Sequence, residues 1–212
     1  MTKIGVLASG RGSNFRALCE AGKRGELGGW LSVLVSDKPG AGALDVAREF
    51  GVEALAIKPG DFPSREAHEE AVAKALEERG TGLVCLAGYM RIIGPALVSR
   101  FRGRMLNIHP ALLPSFPGLH AQRQAVGHGV KVSGATVHFV DEGCDTGPII
   151  IQATVRVEEG DTEETLSMRI LKEEHRIYPL AVRMFCDGRL SLEGRRVRVA
   201  ERPEAKAKGG TG

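Results

Sequence analysis

Residues 105–120 read M-L-N-I-H-P-A-L-L-P-S-F-P-G-L-H. An apolar run, Met105, Leu106 and Ile108, carries an amide, Asn107, and an imidazole, His109, into a loop. Pro110, Pro114 and Pro117 stiffen that loop, because each fixes φ and removes a donor. Asparagine is a neutral hydrogen-bond donor and histidine titrates near physiological pH. Together they suit a developing oxyanion and a proton transfer. The chain spends only two asparagines, Asn14 and Asn107. A carboxylate to complete the set follows the strand Thr136–Val140, in the loop D-E-G-C-D-T-G-P. Parallel α/β sheets collect ligands outside the carboxyl ends of their strands, so Asn107, His109 and this loop converge if both strands share one sheet. Asp145, held between Gly143 and Gly147-Pro148, is preferred there to Asp141 and Glu142. An aspartate beside His109 would orient it and raise its pKa. His138, inside the strand, reads as core packing; the plain alternative for His109 is a satisfied structural imidazole.

Two further loops carry chemistry. Ile4–Ala8 reads as a strand, Ser9-Gly10-Arg11-Gly12-Ser13-Asn14 as a glycine loop, and Phe15 onward as a helix. Free N–H groups and the helix dipole make such a junction an anion site. The third glycine of a dinucleotide fingerprint is missing, which favours a monophosphate over a pyrophosphate. The alternative is a tight turn that binds nothing. Leu86–Pro95 ends a strand in a loop mixing apolar groups with one arginine, a surface suited to a flat heteroaromatic ring or to packing on the next helix. No two His or Cys have ligand spacing, so no metal is expected.

The elements that must position these groups alternate between short apolar runs and helical patterns. Strands are expected at Ile4–Ala8, Leu31–Val35, Ala54–Ile57, Leu83–Ala87, Met105–Ile108, Thr136–Val140 and Ile149–Val155. Helices are expected to start near Asn14, Gly42, Ser64, Pro95, Ala121 and Thr162, and Arg189–Val199 reads as a hairpin around Glu193-Gly194. The expected fold is α/β: a mostly parallel, doubly wound, Rossmann-like sheet of about seven strands with helices on both faces. The 212 residues, 42% hydrophobic, suit one domain over 1–200, with 201–212 a disordered tail. The net charge of +3 gives no case for nucleic acid or membrane. Four cysteines without a C-x-x-C pair read as free thiols, mostly buried, of a reducing compartment. With no secretory leader or membrane-length run, the expectation is a cytoplasmic protein.

The motifs S-G-R-G-S-N, L-A-G-Y-M-R-I, L-N-I-H-P through L-P-S-F-P-G and D-T-G-P, in this order over about residues 3–190, closely resemble the folate-dependent phosphoribosylglycinamide formyltransferase family of purine synthesis. The resemblance implies formyl transfer from 10-formyltetrahydrofolate, a cosubstrate, to the amine of glycinamide ribonucleotide, with no tightly bound cofactor and a monomer or homodimer. It implies that Asn107, His109 and Asp145 are catalytic, with Asn107 and protonated His109 on the oxyanion. It implies that Gly12, Ser13 and Asn14 cradle the phosphate and that Glu174 contacts the ribonucleotide; a solvated helix residue is the alternative for Glu174. It assigns Met90, Arg91, Ile92, Ile93, Val140 and Asp141 to the folate pocket, with Arg65 and Arg91 on the folate glutamate tail. Ala111 and Thr136 stand where many or some relatives carry serine. Relatives with the same L-N-I-H-P motif that formylate methionyl-tRNA or hydrolyse formyltetrahydrofolate are expected to carry a further domain. A silent nucleotide-binding module would have no use for the converging trio.

Overall fold

Seven strands share one sheet, in the order β3-β2-β1-β4-β5-β6-β7, in the computed structural model, which describes residues 1–201. The strands are β1 (Thr2–Leu7), β2 (Gly29–Ser36), β3 (Glu53–Ala56), β4 (Leu83–Leu86), β5 (Met105–His109), β6 (Val132–Phe139) and β7 (Ile149–Arg156). β1 to β5 run parallel, whereas β6 pairs antiparallel with both β5 and β7. The expected Rossmann-like class holds, with β6 alone running against the other strands. Residues 202–212, most of the expected tail, lie outside the described residues.

Each central strand is apolar on both faces, because helices cover both. Along β4, Leu83 and Cys85 face one core while Val84 and Leu86 face the other. The first core packs α1 (Ser13–Lys23), α2 (Gly42–Phe50), α5 (Ala121–Gly127) and α6 (Glu163–Cys186). The second packs α3 (Arg65–Glu78) and α4 (Pro95–Arg100). The caps read from the sequence form: Ser64 Oγ accepts from Ala67 N at 3.2 Å, and Thr162 makes a capping box with Thr165. The C-terminal hairpin pairs β8 (Leu190–Glu193) with β9 (Arg196–Val199). Only β6 departs markedly from expectation, starting four residues early. Ser133-Gly134 has poor strand propensity, but register with β7, Val132 opposite Arg156, overrides it. No helix among the described residues is long and apolar enough to cross a membrane.

The chain leaves β1 for α1 on one face and β4 for α4 on the other, so the crevice of a doubly wound sheet lies between β1 and β4. The two loops flanking it are stitched together. Ser9 N donates to Gly88 O at 3.1 Å, and Met90 N donates to the Ser9 hydroxyl at 2.9 Å. From below, the buried Tyr178 hydroxyl of α6 donates to Leu86 O and Leu106 O, tying that helix to β4 and β5.

Candidate active site

Side chains two apart on a strand share a face, and so do directly paired residues of antiparallel neighbours. Asn107 pairs with His138 and His109 with Thr136, so all four lie on one face. Asp145 reaches them by a route other than the expected one. Because β6 is antiparallel, its carboxyl end lies beside Leu106, at the opposite edge from the exit of β5. The β6–β7 loop instead folds back over the sheet. Its base is closed by Phe139 N to Pro148 O and Val140 N to Met105 O, each 2.9 Å. Gly147 has no room for a side chain against the Phe139 carbonyl.

Asp145, at φ 55°, is the hub of the cluster. Its Oδ1 accepts from Asn107 Nδ2 at 3.2 Å and lies 3.5 Å from His138 Nε2. Its Oδ2 accepts from Gly118 N at 2.8 Å and lies 3.3 Å from His109 Nδ1. Burial alone would raise the carboxyl's pKa. Hydrogen bonding to His138 and Gly118 N, with the charges of His109 and His138, outweighs burial and holds it at about 2. Asp145 is therefore ionised at any physiological pH.

His109 is buried, and burial lowers its pKa below 6.5 against the opposing pull of Asp145 and the Phe116 carbonyl. The protonated ring expected on the oxyanion is therefore the form that burial disfavours and Asp145 favours. Its Nε2 donates to Phe116 O at 2.8 Å, while Nδ1 faces Asp145. Acceptors thus wait at both nitrogens for a second proton.

His138 is buried, as core packing requires, but it belongs to the cluster: Nε2 lies 3.2 Å from Asn107 Nδ2 and Nδ1 donates to Phe139 O at 2.8 Å. Neutral, it accepts from Asn107; protonated, it donates to Asp145. The period-two pair Thr136 and His138, polar in the otherwise apolar run Thr136–Val140, is the sequence clue. Thr136 fixes the loop after His109. Its hydroxyl donates to Ala111 O at 2.6 Å and accepts from Leu113 N and Gln152 Nε2, each at 3.0 Å.

Beside this cluster the glycine loop opens α1. Gly12 is the N-cap at φ 82°, and a Cβ there would lie 2.6 Å from Ala43 Cα. Ser13 starts the helix, half-buried. Asn14 Nδ2 donates to Glu174 Oε2 at 2.7 Å, while Asn14 Oδ1 is buried without a partner. Glu174 is not the solvated residue of the alternative reading: it lies on the buried stripe of α6 with Ile170 and Ile177. Burial raises its pKa, opposed by the Asn14 hydrogen bond. A cavity of about 660 Å³ adjoins the loop, lined by Ser9–Arg11, Lys38 and Gly40–Gly42, and does not reach Asn107, His109 or Asp145.

The residues expected around folate divide. Met90 and Ile92 are exposed, at 60% and 70%. Arg91 is half-buried and forms no ion pair among the described residues. Ile93, by contrast, is buried in the core under α3 and α4. Val140 packs on the same core, and Asp141 staples its own loop by accepting from Gly143 N and Thr146 Oγ1. Arg65 is engaged as well: Nε donates to Glu69 Oε1 at 2.9 Å and a terminal nitrogen to Ile92 O at 2.8 Å. Among the described residues no group of three or more His, Cys, Asp or Glu is placed to hold a metal ion. The four thiols are free: Cys19 and Cys85 are buried, Cys186 is half-buried and Cys144 is exposed.

The chain matches the family described as "Formyl transferase" over residues 2–182. It is 43% identical to the phosphoribosylglycinamide formyltransferase of Escherichia coli (strain K12) over 189 residues, 89% of each chain. It is 45% identical to the trifunctional purine biosynthetic protein adenosine-3 of Drosophila melanogaster over 88% of its own length, spanning 14% of that longer protein. Among solved structures, glycinamide ribonucleotide transformylase 1 from Symbiobacterium toebii superposes with a TM-score of 0.94 at 54% identity over 95% of each chain.

Proposed function

The chain belongs to the formyl transferase family, and from that premise we propose that it transfers the formyl group of 10-formyltetrahydrofolate to the amine of glycinamide ribonucleotide, a step of purine biosynthesis. The observation that carries the reading is one ionised carboxylate, Asp145, set between the Asn107 amide and the His109 imidazole. In the reaction the amine nitrogen bonds to the formyl carbon, the bond from that carbon to the folate nitrogen breaks, and one proton passes from the attacking to the leaving nitrogen. Charge develops on the formyl oxygen in between. Asn107 Nδ2 has two hydrogens and would turn one toward that oxygen. His109 Nε2 would exchange the Phe116 carbonyl for it. The proton lost by the attacking amine, taken up at Nδ1 against Asp145, would make the imidazolium that faces the oxyanion, and would pass on to the leaving folate nitrogen.

The folate enters as a cosubstrate. Met90, Arg91 and Ile92 offer it apolar contact and a cation for a carboxylate tail, and Arg91 is freer for that than Arg65. The N–H groups of Gly12, Ser13 and Asn14 at the start of α1 suit the phosphate. The unpartnered Asn14 Oδ1 and the Glu174 carboxylate suit donors of the ribose or the amine.

Folate absorbance tests the reading. Formyl-folate is expected to be consumed rapidly only when glycinamide ribonucleotide is present; rapid deformylation without it would favour a hydrolase. Glu174→Ala is expected to raise the KM for the ribonucleotide by about tenfold and that for folate little, consistent with a lost charged hydrogen bond. Gly12→Val cannot isolate the phosphate contact, because its side chain would strike the α2 backbone at Ala43.

A further inference from the structure

The loop that ends β4 is fastened at two points, and the second is a carboxylate that the proposed chemistry does not use. At one end Ser9 holds Gly88 O and Met90 N. At the other, Glu69 of α3 accepts from Gly94 N and from Arg65 Nε through the same oxygen, both at 2.9 Å. Arg65 in turn holds Ile92 O. Glu69 is only 8% exposed, on a face of α3 otherwise filled by His68, Val72, Ala73 and Leu76. A carboxylate there costs free energy that an apolar side chain would not, unless its hydrogen bonds are worth keeping. Gly94 leaves it room, since a Cβ at 94 would collide with the Glu69 carboxylate. The carboxylate also lies at the N-terminus of α4, where Gly94 is the N-cap and Pro95 offers no donor.

Between the fastenings lie the three residues with something to offer a ligand: exposed Met90, unpaired Arg91 and exposed Ile92. Ile93, next along, is sunk in the core. The backbone at 92 and 94 therefore decides how 90–92 are presented. We propose that Glu69 is a positioning residue for folate recognition: it holds the loop through Gly94 N and Arg65 and touches nothing of the ribonucleotide site. The proposal rests on the folate reading of this loop given above. Ser9 differs, because it joins this loop to the glycine loop, so Ser9→Ala should disturb both substrates.

Calorimetric titration with tetrahydrofolate and, separately, with glycinamide ribonucleotide tests it. Glu69→Ala is expected to weaken tetrahydrofolate about tenfold and to change ribonucleotide affinity by less than about twofold. Glu69→Gln keeps an acceptor oxygen for Gly94 N and is expected to recover most of the loss. Gly94→Ala displaces the carboxylate from the loop side and is expected to reproduce the folate defect even if Glu69→Ala does not fold. Wild-type tetrahydrofolate affinity in a folded Glu69→Ala or Gly94→Ala protein would overturn the proposal. So would equal weakening of both ligands. A wild-type protein that binds no tetrahydrofolate would overturn the folate reading and the proposal with it, an outcome visible before any variant is made.

Discussion

Replacing His109 by alanine is expected to lower kcat by about a hundredfold or more, at least about 2.7 kcal/mol of barrier, while the protein remains folded. Phe116 O and Asp145 Oδ2 face the two ring nitrogens. Alanine leaves no group to receive a proton while donating to the formyl oxygen, so turnover relies on Asn107 and on the proximity of the bound substrates. The structural loss is smaller. Phe116 O loses a donor at a half-buried site, a cost of about 1–3 kcal/mol. Asp145 keeps Asn107 and Gly118 N. Thr136 goes on holding Ala111 and Leu113, so the loop after β5 keeps its anchor. Steady-state kcat and the thermal midpoint, measured on one preparation, separate the two effects. Near-normal kcat in a folded variant would remove His109 from the chemistry. If His109 and Asp145 act as a unit, as proposed, a double variant is expected to be little slower than the worse single one.

The sheet was legible because its strands are short apolar runs buried on both faces, and because caps such as Ser64 and Thr162 announce themselves by residue type. The direction of β6 was not. Apolar alternation in Thr136–Val140 is the same whichever way a strand runs, and only the pairing of His138 with Asn107 shows the reversal. The convergence of Asp145 was foreseen with the wrong geometry: a folded-back hairpin loop delivers it, and its glycines and left-handed φ are what allow the fold-back. His138 went unrecognised because a buried imidazole in a strand has two readings, and its neighbours across the ladder choose between them. For Arg65, Ile93, Val140 and Asp141 the motif assigned whole loops to folate. It could not tell which side chains the loops spend on holding themselves, since that depends on long-range partners such as Glu69 and on which face of a turn meets the core.

Asp145→Asn is expected to cost as much in kcat as the loss of His109, and its pH profile gives the sign of the coupling. The Asp145 carboxylate, titrating at about 2, is charged throughout the working range, so it produces no limb of its own above pH 4. His109 does. Burial lowers its pKa below 6.5 and the Asp145 charge pulls it partly back up. If the neutral ring is the form used in turnover, the acid limb of wild-type kcat rises with pH through a midpoint below 6.5. Asparagine has nearly the shape of aspartate and can still accept from Gly118 N, but it removes the charge that favours the imidazolium. The His109 pKa must then fall further, and the acid limb moves to lower pH. The substrate amine titrates separately, near the ordinary α-amino value of about 7.7–8.0, and is common to both proteins, so a displacement of the acid limb alone isolates the pair. A limb that moves up, or a wild-type kcat that falls between pH 6 and 8, would mean that the cationic ring is the resting form. An unmoved limb with full activity would mean that Asp145 serves the fold of its loop and not the reaction.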